Sequence, residues 1–459
     1  MFWNRKKTPE PSTLIGTGVC LDNPAKIIPI KLSDSHRKRH TFVFGTTGVG
    51  KTRLAELMIE QDIRAGKNIV FLDPKGDQQI FTKIFDVARQ CGREEEMQLV
   101  TPIYPEYSAV IDPLAYYFMP DELVGHLIAG IKDDGDQFFR SVAKEVASAV
   151  VAGNILLARA EGRPPLQNID SVRQAIRRSA MEEMQQALDR LSDPEAQSVA
   201  GMIHDILIAD GGYYEKVSAS LRTALNELSS GNIGQIIGKA ESNQFIERME
   251  QGKGVILVVH TGSMITRNAG VTLGRVILSM IQSFVGRVYL SGRQQIDCGL
   301  SIYIDEAQSL FYKGVEDLFA KSGSAGVMIQ AFAQSVNQIY SALEDKHAAK
   351  AILDNTNTKI FMRCTDAETS DYVVRHFGTK KVLSTIYNPA QITTREVEED
   401  VLRVQDILSL QAQDFYMMTF AGRHRGRTST IKDSKLTIQF PDAPAIVRAD
   451  REQGERHAV

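Results

Sequence analysis

The stretch that decides the fold is HTFVFGTTGVGKTRLAELMI, His40 to Ile59. A short apolar run leads into a glycine-rich turn, after which Lys-Thr opens a helical pattern with apolar residues on one face. The pattern G-x-x-x-x-G-K-[ST] of a phosphate-binding loop is matched by Gly45, Gly50, Lys51 and Thr52. Because a strand precedes this loop and a helix follows it, the sequence predicts a nucleoside-triphosphate site rather than a merely structural glycine turn.

The residues of this loop have different predicted roles. Glycines let the backbone N–H groups and the helix N-terminus face the phosphates. Lys51 is expected to reach the β- and γ-phosphates, and Thr52 to supply a hydroxyl to Mg²⁺. The predicted nucleotide-binding residues are Gly45, Thr46, Thr47, Gly48, Val49, Gly50, Lys51, Thr52 and Arg53.

Length and composition set limits on the class of protein. The chain has 459 residues, enough for two or three domains, and its 43% hydrophobic and 24% charged residues are typical of a globular protein. The net charge of −3 argues neither for nor against nucleic acid. The four cysteines are far apart, so no zinc site or disulfide framework is expected. Since no run approaches 18 consecutive apolar residues, we expect no transmembrane segment.

Two strand–helix regions flank a wholly helical one, which predicts an α/β fold with an inserted all-α domain. Residues 1–25 are expected to be a flexible lead-in. The nucleotide-binding domain is expected in two parts, 26–118 and 241–430, and the all-α domain at 119–240. Residues 431–459 are polar and are expected to be a flexible tail.

A second hydrophobic strand should deliver acids to the nucleotide. The stretch LSIYIDEAQSLF, Leu300 to Phe311, places Asp305 and Glu306 at a strand's carboxyl end. We assign Asp305 to Mg²⁺ and Glu306 as the general base that takes a proton from the attacking water. The alternative is an acidic turn that caps the following helix.

Further signals carry less information. The strand VMIQAFAQS ends in Gln334, which is predicted to sense the γ-phosphate and orient water, with a plain surface amide as the alternative. The box DPKGD contains Asp73, Lys75 and Asp77 at another strand end, without an evident chemical role. The basic stretches SHRKRH and GRHRGR fit either a contact with DNA phosphates or a solvated loop.

These motifs, in this order, resemble the type IV coupling proteins of bacterial conjugation and type IV secretion. The resemblance spans about residues 38–425 and rests on RHTFVFGTTGVGKT, FLDPKGD, VIDPL, GDQFFRSVAKEVASAVV, VSASLRTALNELSSGNIGQIIG, IYIDEAQ and AFAQS. It implies a RecA-like P-loop NTPase with an all-α insertion, a homo-hexamer and ATP at subunit interfaces. It also implies partners: relaxase-bound single-stranded DNA and components of the inner-membrane secretion channel.

Two departures from the family pattern qualify this resemblance. Members usually begin with transmembrane helices, so a soluble form, a fragment or a separate membrane-anchoring partner is expected. The location implied is the cytoplasmic face of the inner membrane, as a peripheral protein. Many members also carry an arginine that is proposed to reach a neighbour's ATP, at the place where this chain has Gly323. Lys321 and Arg363 are the candidate substitutes, because a ring motor needs a cation near the γ-phosphate.

Three functions follow from this sequence. The first is an ATP-hydrolysing, DNA-translocating motor in which Lys51, Glu306 and Gln334 are catalytic. The second is an FtsK/HerA-type translocase of double-stranded DNA. The third is a nucleotide-gated receptor that recruits relaxase complexes with little motor activity.

Overall fold

A computed structural model describes residues 10–131, 137–165, 167–208, 211–238, 242–343, 345–388 and 391–438. Eleven strands form one sheet with the order β2-β1-β13-β12-β9-β3-β8-β7-β4-β6-β5, and β10 and β11 form a separate hairpin. The strands are β1 Ser12–Cys20, β2 Asn23–Ser33, β3 Thr41–Phe44, β4 Asn68–Asp73, β5 Met97–Val100, β6 Ile256–His260, β7 Leu300–Ile304, β8 Val327–Ala333, β9 Thr358–Phe361, β10 Thr379–Asn388, β11 Gln391–Asp400, β12 Asp414–Thr419 and β13 Gly422–Thr428.

The sheet has two parts with different strand directions. From β9 through β3, β8, β7, β4 and β6 to β5, all neighbours are parallel. The edge formed by β12, β13, β1 and β2 is antiparallel. In the parallel part β3, β4, β6, β7 and β8 are buried along their whole length, as expected for strands that helices cover on both faces.

Helices pack on both faces of this sheet. They are α1 Asp34–Arg37, α2 Lys51–Arg64, α3 Gln78–Gln90, α4 Pro120–Ala129, α5 Gln137–Ala160, α6 Ile169–Ala175, α7 Arg178–Asp189, α8 Pro194–Ile208, α9 Gly211–Ser229, α10 Gly231–Ile233, α11 Gln244–Glu250, α12 Ser263–Thr266, α13 Asn268–Leu290, α14 Ala307–Leu310, α15 Glu316–Lys321, α16 Val336–Leu343, α17 Lys346–Asp354, α18 Ala367–Phe377 and α19 Val404–Leu408. Because side chains alternate along a strand, Phe42 and Phe44 join one core, whereas Val43 joins the core beneath α2 and α3.

Among the described residues between β5 and β6, all regular elements are helical. Helix α5 packs against α4, α7, α8 and α9, and α13 joins this group to the sheet through contacts with α4 and α9. The cores of the two groups are continuous. The predicted fold class, an α/β P-loop NTPase with an inserted all-α region, is confirmed.

The predicted flexible lead-in of residues 1–25 is wrong where the structure describes it. Residues 12–20 form β1, which pairs with β13, and β2 begins at Asn23. A proline such as Pro24 is typical of a break in regular structure, but β2, which contains it, is an edge strand, where proline is tolerated. Residues 1–9 lie outside the described residues.

The predicted flexible tail of residues 431–459 also begins too early. The Lys83 ammonium donates to the carbonyl of Lys432 at 2.8 Å, and the Ser434 hydroxyl donates to Asp86 at 2.6 Å. The side chain of Ile438 packs against the core beneath α2 and α3. Residues 432–438 therefore lie along α3, and residues 439–459 of the predicted tail are outside the described residues.

Two helices have the length and apolar composition of a membrane span, Arg140–Ala160 and Asn268–Leu290. About 61% of the first and 67% of the second are buried inside the protein, as in core helices. Neither contains 18 consecutive apolar residues, so the sequence criterion passed over both.

Candidate nucleotide-binding and catalytic site

The loop between β3 and α2 has backbone angles that glycine provides. Gly48 and Gly50 have φ values of 79° and 107°, in the left-handed region that side chains rarely adopt. A Cβ added to Gly45 would come within 2.8 Å of Val49 and 2.9 Å of Met362. The loop therefore requires glycine at two positions for backbone freedom and at a third for space.

Lys51 is folded back over this loop. Its Nζ donates to the carbonyl oxygens of Gly45 at 2.5 Å and Thr46 at 3.1 Å. Burial lowers the pKa of Lys51, while the nearby Glu306 and Asp305 act in the opposite direction. The lysine is thus held at the mouth of the loop, where it can meet bound phosphate.

Backbone hydrogen bonds from three neighbouring segments fix the loop. Gly45 N–H donates to the carbonyl of Ala333, at the end of β8, and Thr46 N–H donates to the carbonyl of Arg363, beyond β9. On the other side, Gln413 N–H donates to the carbonyl of Val49 at 2.8 Å. Gln413, just before β12, has a positive φ of 71° and was not singled out in the sequence.

The acid pair follows β7 at the same edge of the sheet as the P-loop. Asp305 N–H donates to the carbonyl of Leu72, in the adjacent strand β4, at 2.9 Å. Glu306 N–H donates to Asp305 Oδ1 at 3.0 Å, and Glu306 itself has φ 44°. Only 9% of each residue is exposed. A left-handed backbone in a buried non-glycine residue is a form of strain that collects at functional sites.

Gln334, after β8, is brought to the acid pair as the order of the motifs suggests. Its Nε2 lies 3.5 Å from Glu306 Oε1 and 3.4 Å from Glu306 Oε2, the outer limit of a hydrogen bond. A closer donor is Gln308, whose Nε2 lies 2.6 Å from Glu306 Oε2. Two amides therefore surround the carboxylate assigned as the base.

Lys75 completes this group and was the residue that sequence analysis left without a role. Its Nζ lies 2.6 Å from Glu306 Oε1 and 3.7 Å from Asp305 Oδ2. The other two charges of the DPKGD box are used locally: Asp73 accepts the N–H groups of Lys75 and Asp77, and Asp77 caps α3. The signal that could have found Lys75 is the adjacency of β4 and β7 in the sheet.

The two acids have pKa shifts of opposite direction. Burial raises the pKa of Asp305, and Lys75 offsets this only in part. Burial also acts to raise the pKa of Glu306, but hydrogen bonds from Lys75 and Gln308 outweigh it and leave that pKa lowered. Glu306 is therefore ionised, as a group that accepts a proton must be.

Not every predicted binding residue faces the loop. Thr52 lies in the first turn of α2, but the Arg53 guanidinium pairs with Glu56 at 2.9 Å and Asp433 at 3.2 Å. These carboxylates belong to α2 and to the segment along α3. The Arg53 side chain therefore has partners away from the loop, whereas its backbone lies in the first turn of α2 beside Thr52.

The two cations predicted to reach a neighbouring subunit's ATP lie at opposite ends of the parallel strands. Arg363 follows β9 beside its own P-loop, where its carbonyl accepts the Thr46 N–H, and its side chain is exposed. Lys321 lies in α15, before β8 begins, and its exposed ammonium pairs with Asp317 at 2.7 Å. Because β8 is parallel to β3, Lys321 is at the edge away from its own P-loop.

The donor set suits a magnesium ion that arrives with a nucleotide. Among the described residues no group of three or more His, Cys, Asp or Glu side chains could hold a metal alone. Mg²⁺ is commonly bound by one or two protein oxygens together with water and substrate phosphates. The Thr52 hydroxyl and the Asp305 carboxylate would supply those protein oxygens.

The basic stretch SHRKRH is only partly a cationic surface, because Arg39 is exposed but Arg37 is not. Arg37 is fully buried, and its Nη1 and Nη2 each lie 2.6 Å from an oxygen of Asp62. The hydroxyl of Tyr303 donates to Asp62 Oδ2 at 2.6 Å, and Lys67 pairs with Asp62 at 3.1 Å. Arg37 thus belongs to the core and cannot contact DNA phosphates.

Comparisons with known proteins find similarity to coupling proteins and to the helicase HerA. The family model described as the TraM recognition site of TraD and TraG matches residues 300–412, and that described as helicase HerA, central domain, matches residues 18–195. Type 4 coupling protein DotL of Legionella pneumophila is 32% identical over 63 residues, 14% of this chain and 8% of DotL. Parts of the chain are therefore similar to the type IV coupling proteins. The aligned stretch spans less than a tenth of DotL.

Solved structures of coupling proteins share the fold. Bacterial conjugative coupling protein TrwBdeltaN70 superposes with a TM-score of 0.66 at 16% identity, covering 94% of this chain and 97% of that one. TrwB with ADP and Mg²⁺ gives 0.63 at 14% identity, covering 94% and 96%. VirB4 of Thermoanaerobacter pseudethanolicus gives 0.52 at 11% identity, covering 91% and 97%.

Proposed function

We propose that this coupling-protein relative hydrolyses ATP at the P-loop and the acid pair. The observation that supports it is the meeting of Lys51, Glu306 and Gln334 at one edge of the sheet, on three strands that are neighbours or next neighbours. Lys51 and Glu306 come from segments more than 250 positions apart in the chain. A site that only held nucleotide would not need a strained, ionised carboxylate beside the loop.

In this proposal each residue has a defined task. Glu306 takes the proton of the water that attacks the terminal phosphorus atom, and Gln334 orients that water. The Lys51 ammonium moves from the loop carbonyls to the β- and γ-phosphates, whose charge it offsets. Mg²⁺, held by Thr52 and Asp305, would neutralise further phosphate charge. Lys321 and Arg363 remain candidates for the cation from a neighbouring subunit.

The cellular task that we propose is the delivery of relaxase-bound single-stranded DNA to a conjugative type IV secretion channel. The match of residues 300–412 to a TraM recognition site and the likeness to DotL and TrwB support it. The working form would be a homo-hexamer at the cytoplasmic face of the inner membrane, with channel components and a membrane-anchoring partner. The all-α region would meet the DNA-processing complex.

A second candidate is a translocase of double-stranded DNA. The match of residues 18–195 to the central domain of HerA favours it. Phosphate release measured with single-stranded and with duplex DNA separates the two: the coupling protein is stimulated more by single strands, and the duplex translocase more by duplex DNA. If neither single-stranded nor duplex DNA stimulated phosphate release, a nucleotide-gated receptor would be indicated instead.

The decisive experiment is Glu306→Gln. We expect the hydrolysis rate to fall by about 10²–10⁴-fold, the range for loss of a general base, while a non-hydrolysable ATP analogue still binds. The exposed Glu368→Gln, in α18, is the matched control and should keep the rate. An unchanged rate in Glu306→Gln would remove the proposed base. Full DNA transfer by this variant in a mating assay would mean that nucleotide gates a docking surface instead of driving transport.

A further inference from the structure

Lys75 reaches the acid pair from a rigid turn. The backbone N–H of Lys75 donates to Asp73 Oδ1 at 2.9 Å, and that of Asp77 donates to Asp73 Oδ2 at 2.6 Å. Gly76 between them has a positive φ of 77°, which suits glycine. Asp73 is buried, and β4, which carries it, is hydrogen-bonded to β7. The backbone of Lys75 is therefore fixed relative to Asp305 and Glu306.

The Lys75 side chain, in contrast, has room to move. About 49% of it is exposed, whereas the side chains of Asp305 and Glu306 are 13% and 11% exposed. Its ammonium contacts Glu306 at 2.6 Å and lies within 3.7 Å of Asp305. A half-exposed cation on a fixed turn thus faces two nearly buried anions.

We propose that Lys75 is an internal counter-ion that competes with the divalent cation for this acid pair. The proposal rests on the proposed function, because it takes Asp305 as a metal ligand. Two adjacent carboxylates repel each other and require a cation nearby. An ammonium group and a divalent cation repel each other, so both cannot occupy the same carboxylates closely.

This competition makes metal binding depend on the nucleotide. Without phosphates, a metal ion would gain few protein oxygens and would have to displace Lys75 from Glu306. With phosphates, the ion gains several further oxygen ligands, and displacement of a half-exposed lysine becomes favourable. Lys75 therefore weakens metal binding to the acids until a nucleotide is present.

The test is Mn²⁺ binding, followed by electron paramagnetic resonance of the free ion, with and without a non-hydrolysable ATP analogue. Without nucleotide, Lys75→Met should lower the half-saturating Mn²⁺ concentration about fivefold, the effect of one partly exposed ion pair. Lys75→Arg keeps the charge and should behave as the unchanged protein. Lys83→Met removes the same charge from α3, where Lys83 pairs with Glu60, and should leave Mn²⁺ binding unchanged.

The outcomes separate this inference from the proposed function. If the unchanged protein binds no Mn²⁺ even with the analogue, the metal–nucleotide site itself is wrong. If it binds Mn²⁺ and Lys75→Met binds it equally or more weakly, the counter-ion role is overturned. Equal gains in Lys75→Met and Lys83→Met would show a general effect of charge and would overturn it as well. Circular dichroism confirms that each variant is folded.

Discussion

Two clusters, each containing oppositely charged side chains, lie along the same strand, β7. They differ in how completely they are buried. Tyr303 takes part in the cluster of Arg37, Asp62 and Lys67, which is held by short hydrogen bonds and is almost completely buried. Two residues further along, Asp305 begins the acid pair, whose cation Lys75 is half exposed. The first cluster is structural because it is buried. In the second, Lys75 is half exposed, so the acids can exchange it for a ligand.

The largest expected effect is on the open site. Lys51→Ala should reduce ATP hydrolysis by at least about a thousandfold, since it removes a charge that stabilises the transition state. The fold should remain, because the ammonium of Lys51 bonds only to carbonyls of its own loop among its described hydrogen bonds. Phosphate release and circular dichroism measure the two properties. Lys26→Ala, an exposed change in β2, is the control, and an unaltered rate in Lys51→Ala would refute the site.

The closed cluster should respond in its stability instead. Arg37→Met leaves the buried Asp62 with Lys67 as its remaining cation, so we expect a loss of about 3 kcal/mol in the free energy of unfolding, the lower end for a broken buried ion pair. Chemical denaturation measures this loss. Lys75→Met, which breaks the half-exposed pair, should change stability by less than about 1 kcal/mol. Similar losses in both variants would erase the distinction between the clusters.

The smallest effect is a gain in stability at the open site. Burial raises the pKa of Asp305, so its charge destabilises the folded state above that pKa, and the penalty disappears as pH falls through it. Without divalent metal at pH 7, Asp305→Asn should therefore stabilise the protein by up to about 1 kcal/mol. Thermal unfolding at pH 7 and pH 4 should show a smaller gain at the lower pH.

The matched change in the closed cluster has the opposite sign. Burial acts to raise the pKa of Asp62, but Arg37 outweighs it and holds that pKa well below 3.8. Its contribution to stability is therefore present above pH 3.8 and is lost as pH falls further. Asp62→Asn should destabilise the protein at pH 7, and a gain there would contradict this account.

Local patterns were enough to predict the P-loop and the acid pair. Each is a buried strand followed at once by its functional residues, so Lys51 and Glu306 were found without knowledge of the sheet. Parallel strands bring their carboxyl ends to one edge, which explains why Gln334 lies near Glu306. The same reasoning predicted the helical insertion, because helical periodicity is also a local property.

The remaining features depend on which strands are neighbours, and sequence spacing does not give that. Lys75 meets Glu306 only because β4 lies beside β7, and Gln413 meets Val49 only because β12 and β13 extend the sheet next to β9. In the sequence, Arg37 belongs to a basic stretch that is typical of a surface. Its partner Asp62 lies in α2, and no local pattern connects the two residues. Long-range pairing decided all three.

In the proposed motor, the hydrogen bonds of Tyr303 also restrict where movement can originate. Hydrogen bonds hold Tyr303 between Arg37 and Asp62, two positions before Asp305, and the β7 backbone is paired with β4 and β8 on either side. A strand fastened in this way cannot slide along its axis during a reaction cycle. In the proposed motor, displacements would then start in the segments beyond the end of β7, while Asp305 and Glu306 keep their positions.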